Sequence, residues 1–343
     1  MPSAADREAA AETRDAVNAA IFHVRCNRVL GTLVERRVPD LLDNGPMPAA
    51  RLGPLAGLHP LSLERSLRLL AGFGVFVEVE PGVFANNDAS ALLRDRPGGL
   101  RNWTLYATSR FIWDAWGAAD HAMRTGDSAF VRAHGVSLWE YLRAHPEDDA
   151  VFNAMFAELW MGAHEAIAAA YDWSGVETVV DVGGGNGSLL ATILESNVHL
   201  RGIVVDQASV IPQAEAHLAS RGVRERCELL AGDFFDRIPA TGDVWLLSQI
   251  LHDWDDRRSG LIVENCRAPM RSQDRLLVVE AVTVPCEPNR LVGLADVNML
   301  TLFGEARQRT EAEYRDLFRL HGLELERVVP TESAFSLVEA RPQ

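Results

Sequence analysis

Two short stretches carry residue types at spacings suited to chemistry, 178-TVVDVGGGNGSLLATIL-194 and 249-QILHDWDD-256. The first runs from a β-branched segment through an acid and a glycine cluster into an apolar, helix-like segment. A turn of this kind lets backbone approach a ligand closely and aims helix N–H groups at it. A dinucleotide turn needs G-x-G-x-x-G, for pyrophosphate contact and helix–strand packing. Counting from Gly183 gives Gly185 and then Ser188, so the third position fails. The spacing present is G-x-G-x-G, through Gly183, Gly185 and Gly187, with Asp181 just before it. Such a turn suits a ligand whose amino-acid end and ribose lie there without a pyrophosphate. In the second stretch His252 follows an apolar run. An imidazole of pKa near ~6.5 is matched to general-base work at neutral pH. The plainer role for His252 is packing; Asp253 and Asp255 are read as caps of the following helix.

Asp206 closes 202-GIVVD-206, about where an acid binds ribose hydroxyls. Asp233, in 232-GDFF-235, follows 227-CELLA-231; its carboxylate is placed to accept from an adenine amino group, with Phe234 on the ring. A lone loop Asp is most often a turn former. Acids after three successive apolar runs weigh more, because open α/β sheets bind ligands beyond their strand C-termini.

These residues need a sheet to position them, and the sequence after residue 175 supplies one. Expected strands are 178–182, 202–206, 227–231, 243–248 and 275–282, alternating with helical stretches such as 187–196 and 256–270. Continuous apolar runs are the mark of buried parallel strands. The end differs: a helix over 311–322, then 323–330 and 334–341, close enough together to pair antiparallel. Before residue 170 the period is helical, as in 15–35 and 60–76, interrupted by 75-VFVEVEPGVFAN-86, which reads as a hairpin around Pro-Gly. Helices followed by a hairpin make a winged-helix pattern. Two helical blocks follow, 101–126 and 138–173. The division expected is 1–100, 101–173 and 174–343.

Composition narrows the classes. The formal net charge of −15 argues against a general polyanion binder. All 33 basic residues are arginine, which excludes lysine Schiff-base chemistry and the P-loop lysine. Cys26, Cys227, Cys266 and Cys286 are scattered, with no CxxC spacing for zinc or redox work, so no metal is expected. No apolar run reaches the ~18 residues a membrane span needs, and the N-terminus lacks a signal-peptide core. A cytoplasmic protein with reduced thiols and no membrane partner is expected.

The set 171-YDWSGVETVVDVGGGNGSLL-190, 232-GDFF-235, 249-QILHDWDD-256, 278-VVE-280 and 296-DVNML-300 resembles S-adenosylmethionine-dependent O-methyltransferases of the caffeate and hydroxyindole type, especially bacterial natural-product members. The resemblance covers most of the chain. It implies an α/β fold with a Rossmann-like methyltransferase sheet of seven strands, the last antiparallel. It further implies an N-terminal, mostly helical, winged-helix-like domain over 1–100 that makes a homodimer, a helical linker and substrate cap over 101–173, and a cofactor-binding domain over 174–343. S-adenosyl-L-methionine is then lined by Asp181, Gly183, Gly185, Asp206, Gly232, Asp233, Phe234 and Ser248. His252 is the general base, flanked by Glu280. The family commonly places a second flanking Glu in a G-x-E-R-T-like segment; here 304-GEARQRT-310 has Gln308 at that place. Two other departures are Gln207-Ala208 where Leu-Pro is usual, and Trp160 and Met161 where a small hydroxyl residue is frequent.

For the acceptor, Trp254, Asn298, Met299 and Phe303 are the candidates, together with the 101–126 block. Aromatic and Met side chains suit a flat apolar molecule, with Asn298 orienting a polar group. The expectation is methylation of a phenolic or polyketide-like hydroxyl. Two alternatives stay open: a tailoring enzyme of this fold that uses the cofactor for cyclisation, hydroxylation or decarboxylation, and a winged-helix DNA-binding regulator. The supposed recognition helix opposes only Arg65 and Arg68 to Glu64, a weak face for nucleic acid.

Overall fold

The computed structural model describes residues 4–343. It divides into two compact units, Met1–Asp114 with Leu142–Leu159, and Ala115–Tyr141 with Trp160–Gln343. The stretch 101–173 therefore contributes to both.

In the first unit the helices Ala4–Glu35, Ala49–Ala56 and Pro60–Gly72 pack with a small sheet. Pro60 opens its helix with a preset φ, and the His59 ring accepts the Ser62 N–H at 3.4 Å. The helix ends at Gly72, and the chain reverses at Gly74 with φ 79°. The hairpin Val77–Glu80 and Val83–Ala85 turns at Gly82, φ 74°, and Met47–Pro48 pairs on its other side. Leu33, Val38, Leu52, Leu63, Leu67, Phe76 and Phe84 form the core.

The two helical blocks are more broken than the apolar period suggests. Residues 101–126 form Arg101–Thr108, Arg110–Gly117 and Ala119–Thr125, interrupted by extended backbone at Ser109 and closed by a left-handed Gly126. Residues 138–173 form Leu138–Ala144, Pro146–Leu159 and Ala163–Ala169, broken before Pro146 and at Gly162, φ 78°. Trp160 and Met161 thus sit in a turn between helices, not within one.

The second unit is built on a seven-stranded sheet: β1 (Thr178–Val182), β2 (Arg201–Asp206), β3 (Cys227–Ala231), β4 (Val244–Ser248), β5 (Arg275–Glu280), β6 (Leu323–Pro330) and β7 (Ser336–Pro342). Their order across the sheet is β6-β7-β5-β4-β1-β2-β3. The strands from β3 to β5 are mutually parallel, and β7 is antiparallel to both its neighbours. Side chains alternate between two buried faces. Val179, Leu246, Leu277 and Val279 join one core, while Val180, Val182, Trp245, Leu247 and Val278 join the other. The helices between the strands cover both faces, which is why the strands read as unbroken apolar runs. The chain reverses from β1 to β4 across the sheet's middle, so the carboxyl ends of β1 and β4 open side by side. Ligands bind at such a point in open α/β sheets. Among the described residues, no helix is long and apolar enough to cross a membrane.

Candidate active site

At the end of β1 the chain is steered by backbone. Gly183, φ 70°, donates its N–H to Val205 O at 2.8 Å. A Cβ there would lie 2.6 Å from Ile250 Cδ1. Gly185, φ 58°, donates to Asp206 Oδ2 at 2.8 Å, and the Gln207 N–H reaches Asp206 Oδ1 at 2.6 Å. Gly187, φ 76°, starts the helix Ser188–Ser196. Asp181 lies beneath this turn, 2 % exposed, and its Oδ1 has no hydrogen-bond partner. Burial, and then the charge of Asp206, push the Asp181 carboxyl up to about 7. Burial also raises Asp206, against the pull of its two backbone donors.

Further along the edge, Gly232 donates to Asp206 O at 2.9 Å. Asp233 is exposed and its Oδ1 accepts the Phe235 N–H at 2.9 Å, an Asx turn. Phe234 is half-buried, its ring edge-on to Phe235 at 4.9 Å. Trp254 packs edge-on to both, 4.8 Å from Phe235 and 6.1 Å from Phe234, with the Arg258 guanidinium over its face. The ring of this acceptor candidate is therefore part of the Phe234–Phe235 cluster.

Beyond Ser248, the last residue of β4, Gln249 takes a left-handed φ of 56°, strained for a side chain of this kind. Its backbone and side-chain N–H groups both donate to Val279 O, at 3.0 Å each. That kink delivers the chain into the 3-10 turn Leu251–Asp253 and lowers His252 into a buried place. The ring lies between two carboxylates: Nε2 is 3.2 Å from Asp253 Oδ1, and Nδ1 is 3.8 Å from Glu280 Oε1. Burial works to lower the imidazole pKa, but the charge and hydrogen bond of Asp253, with the charge of Glu280, outweigh it; the ring titrates above its ordinary value. Asp255 is the helix cap, its Oδ1 accepting from Arg258 N at 2.8 Å. Asp253, expected as a second cap, instead serves the ring, because the 3-10 turn points it back at Nε2.

Glu280, at the end of β5, is fully buried. Its Oε1 accepts the His252 backbone N–H at 3.0 Å and its Oε2 accepts the Tyr314 hydroxyl. Arg309, 1 % exposed, donates to Leu251 O at 2.8 Å, Trp254 O at 2.9 Å and Ser259 Oγ at 2.9 Å, and pairs with Asp256. Gln308 is buried; its backbone N–H is held by Asp296 at 2.7 Å, and its Oε1 has no partner. Asn298, Met299 and Phe303 lie half-buried on the helix Arg290–Phe303, where Phe303 stacks on Trp139 at 5.7 Å. Trp160 is stacked between Phe335 and His164, at 4.6 and 4.7 Å.

Sequence reasoning missed Asp253's place, Tyr314 and Arg309. The T-x-x-E box at 310–313, which caps the last helix, marks where Arg309 and Tyr314 stand but not what they reach.

The sheet and its edge define a class first: an α/β fold with a glycine turn and a buried histidine side by side at the carboxyl ends of β1 and β4. The family model described as the O-methyltransferase domain matches residues 116–324. The phenazine O-methyltransferase of Lysobacter antibioticus is 42% identical over 306 residues, 89% of each chain. The solved mitomycin 7-O-methyltransferase is 34% identical with a TM-score of 0.90, covering 98% of this chain and 100% of that one. An O-methyltransferase from neocarzinostatin biosynthesis, solved with S-adenosylmethionine and 2-hydroxy-5-methyl naphthoic acid, is 32% identical with a TM-score of 0.81, covering 92% and 96%. The chain belongs to the O-methyltransferase family, whose cofactor is S-adenosylmethionine.

The β1 edge fits that cofactor. Two carboxyls raised by burial, one with an orphaned oxygen, suit a ligand bearing an ammonium and a sulfonium. At Gly185 a Cβ would meet nothing within 4 Å, so open space lies against the turn there.

Proposed function

We propose that this enzyme methylates a phenolic or polyketide-like hydroxyl of a small aromatic natural product, with His252 as general base. The observation that carries the reading is the buried His252 ring between Asp253 and Glu280, at the end of the strand beside the glycine turn. On this reading Asp181, Gly183 and Gly185 hold the amino-acid end of the cofactor, Asp206 the ribose, and Gly232, Asp233 and Phe234 the adenine, with Ser248 alongside. When bound, S-adenosylmethionine supplies a methyl group made electrophilic by its sulfonium. His252 accepts the phenol's proton, and the two carboxylates stabilise the imidazolium that results. Asn298, Met299 and Phe303 orient a flat acceptor; the neocarzinostatin enzyme was solved with a flat molecule of that kind, a naphthoic acid.

The first unit serves dimerisation on this reading. Val17, Ile21 and Val24 recur on the long helix at helical spacing and are 57%, 53% and 52% exposed, a row that a second copy would cover. A DNA-reading role has little support, since Arg68 is already paired with Glu64 at 2.8 Å and Glu78 at 2.7 Å. Residues 115–141 and 160–173, which lie in the same unit as the sheet, are the part of the 101–173 block assigned to cap the acceptor.

The test is mass spectrometry of products from a panel of phenols and hydroxynaphthoates with S-adenosylmethionine labelled in its methyl group. Transfer of the labelled methyl to oxygen is expected. A product that is cyclised, hydroxylated or decarboxylated without the label would favour non-methylating use of the cofactor.

A further inference from the structure

The reading of His252 as base assigns no role to Tyr314. Tyr314 is fully buried and donates its hydroxyl to Glu280 Oε2. The other oxygen of the same carboxylate accepts the His252 backbone N–H and lies 3.8 Å from Nδ1. We propose that Tyr314 is a positioning residue for the base: its hydroxyl fixes the Glu280 carboxylate, and that carboxylate fixes His252. The proposal rests on the assignment of His252 as base.

The geometry divides the labour within one carboxylate. A carboxylate has two oxygens and several lone pairs, and a buried one without donors is costly. With Oε2 occupied by the phenol, Oε1 is the oxygen left to face the histidine, and the carboxylate cannot rotate away. Burial and the adjacent Glu280 charge keep the phenol protonated far beyond its ordinary range, so it acts as a donor throughout the working pH.

The other charged groups around the ring are accounted for. Asp253 faces Nε2, and Arg309 opposes protonation of the ring while pairing with Asp256. Arg307 pairs with Asp256 and Glu313, and Asp296 on the neighbouring helix holds the Gln308 N–H. Among the described residues, Tyr314 is the side chain that donates a hydrogen bond to the Glu280 carboxylate.

The consequence for titration has a definite sign. Tyr314→Phe keeps the ring, including its packing on Phe318 5.8 Å away, and removes only the hydroxyl. The Glu280 oxygen then lacks its donor, and in this buried place a carboxylate short of donors is the costlier form, so the carboxyl takes up a proton. Less negative charge then faces the imidazole, and His252 protonates less readily.

The experiment is the NMR titration of histidine ring nitrogens in the full-length protein, with His252 assigned by its absence in His252→Ala. Tyr314→Phe is expected to lower the His252 midpoint by about half a unit to one unit. Glu280→Gln should lower it at least as far, and Tyr314→Phe added to Glu280→Gln should lower it no further. A side chain that only packs would leave the midpoint in place, or shift it equally in both backgrounds; either result overturns the proposal. Turnover of a hydroxynaphthoate separates this from the parent assignment. If His252→Ala turns over normally, the base assignment itself has failed. If His252→Ala is inactive while Tyr314→Phe matches the parent in midpoint and turnover, only the positioning role has failed.

Discussion

The glycine turn after β1 and the histidine turn after β4 leave neighbouring strands at the same edge of the sheet, yet they are held in opposite ways. The first is made almost entirely of its own backbone. Left-handed Gly183, Gly185 and Gly187 shape it, and it is tied to β2 through the Val205 carbonyl and the Asp206 carboxylate. It leaves Asp181 with an unpartnered oxygen. The second is shaped by side chains far away in sequence. Arg309 and Ser259 hold the carbonyls of Leu251 and Trp254, and Glu280, itself held by Tyr314, takes the His252 N–H. A backbone cradle leaves room and unsatisfied polarity for a ligand to complete. A side-chain clamp fixes the placing of one group, His252, as the proposed base role requires, while its Nδ1 keeps no hydrogen-bond partner.

That contrast predicts a crossed pair of effects. Arg309→Leu removes a buried guanidinium from two carbonyls, a hydroxyl and Asp256. Lost hydrogen bonds to a charged donor cost ~1.5–3 kcal/mol each where they leave buried acceptors unmet. A marked drop in Tm and in turnover is expected by calorimetry and rate assay. Gly183→Ala puts a side chain into left-handed backbone, at ~1–2 kcal/mol, and into the space before Ile250. Its main effect should be about tenfold or greater weakening of S-adenosylhomocysteine binding, with a smaller change in Tm. Equal effects of both substitutions on both measurements would erase the distinction between the two turns.

A smaller effect sharpens the account of the clamp. Gln308 stands where relatives of this family carry an acid, according to the resemblance of its segment. If its side chain faces the ring, Gln308→Glu adds negative charge there and favours the imidazolium. The base then forms only at higher pH, so the acid limb of kcat should move upward, by about half a unit. A limb that stays put would show that Gln308 faces elsewhere, in keeping with the absence of any bond between its side chain and His252 among the described residues.

The same contrast explains what the sequence made legible. The seven strands, the glycine turn and the acids at its strand ends could be read directly, because each is a local pattern whose cause lies within a few residues. The antiparallel last strand was legible for the same reason, from the short link between 330 and 336. The His252 turn was only half legible. His252 and Asp255 stand in one short segment, but Asp253's turn back to the ring depends on a 3-10 geometry, and that geometry on Gln249's left-handed kink. Tyr314 and Arg309 reach the site across more than 30 and 50 residues, a distance no periodicity records. The breaks in the helical blocks at Ser109 and Gly162 were missed because the apolar period continues through them.

The central claim, that His252 is the base of an O-methyl transfer, is tested most directly by kcat against pH for the parent and His252→Ala, at saturating S-adenosylmethionine and hydroxynaphthoate. The two carboxylates hold the ring's pKa above its ordinary value, and only the neutral ring accepts a proton. The parent should therefore gain activity through a limb centred above about 6.5. His252→Ala should lose that limb and ~10²–10⁴-fold of the rate, while S-adenosylhomocysteine binds as before. Parent-level turnover in His252→Ala, with the limb intact, would contradict the assignment.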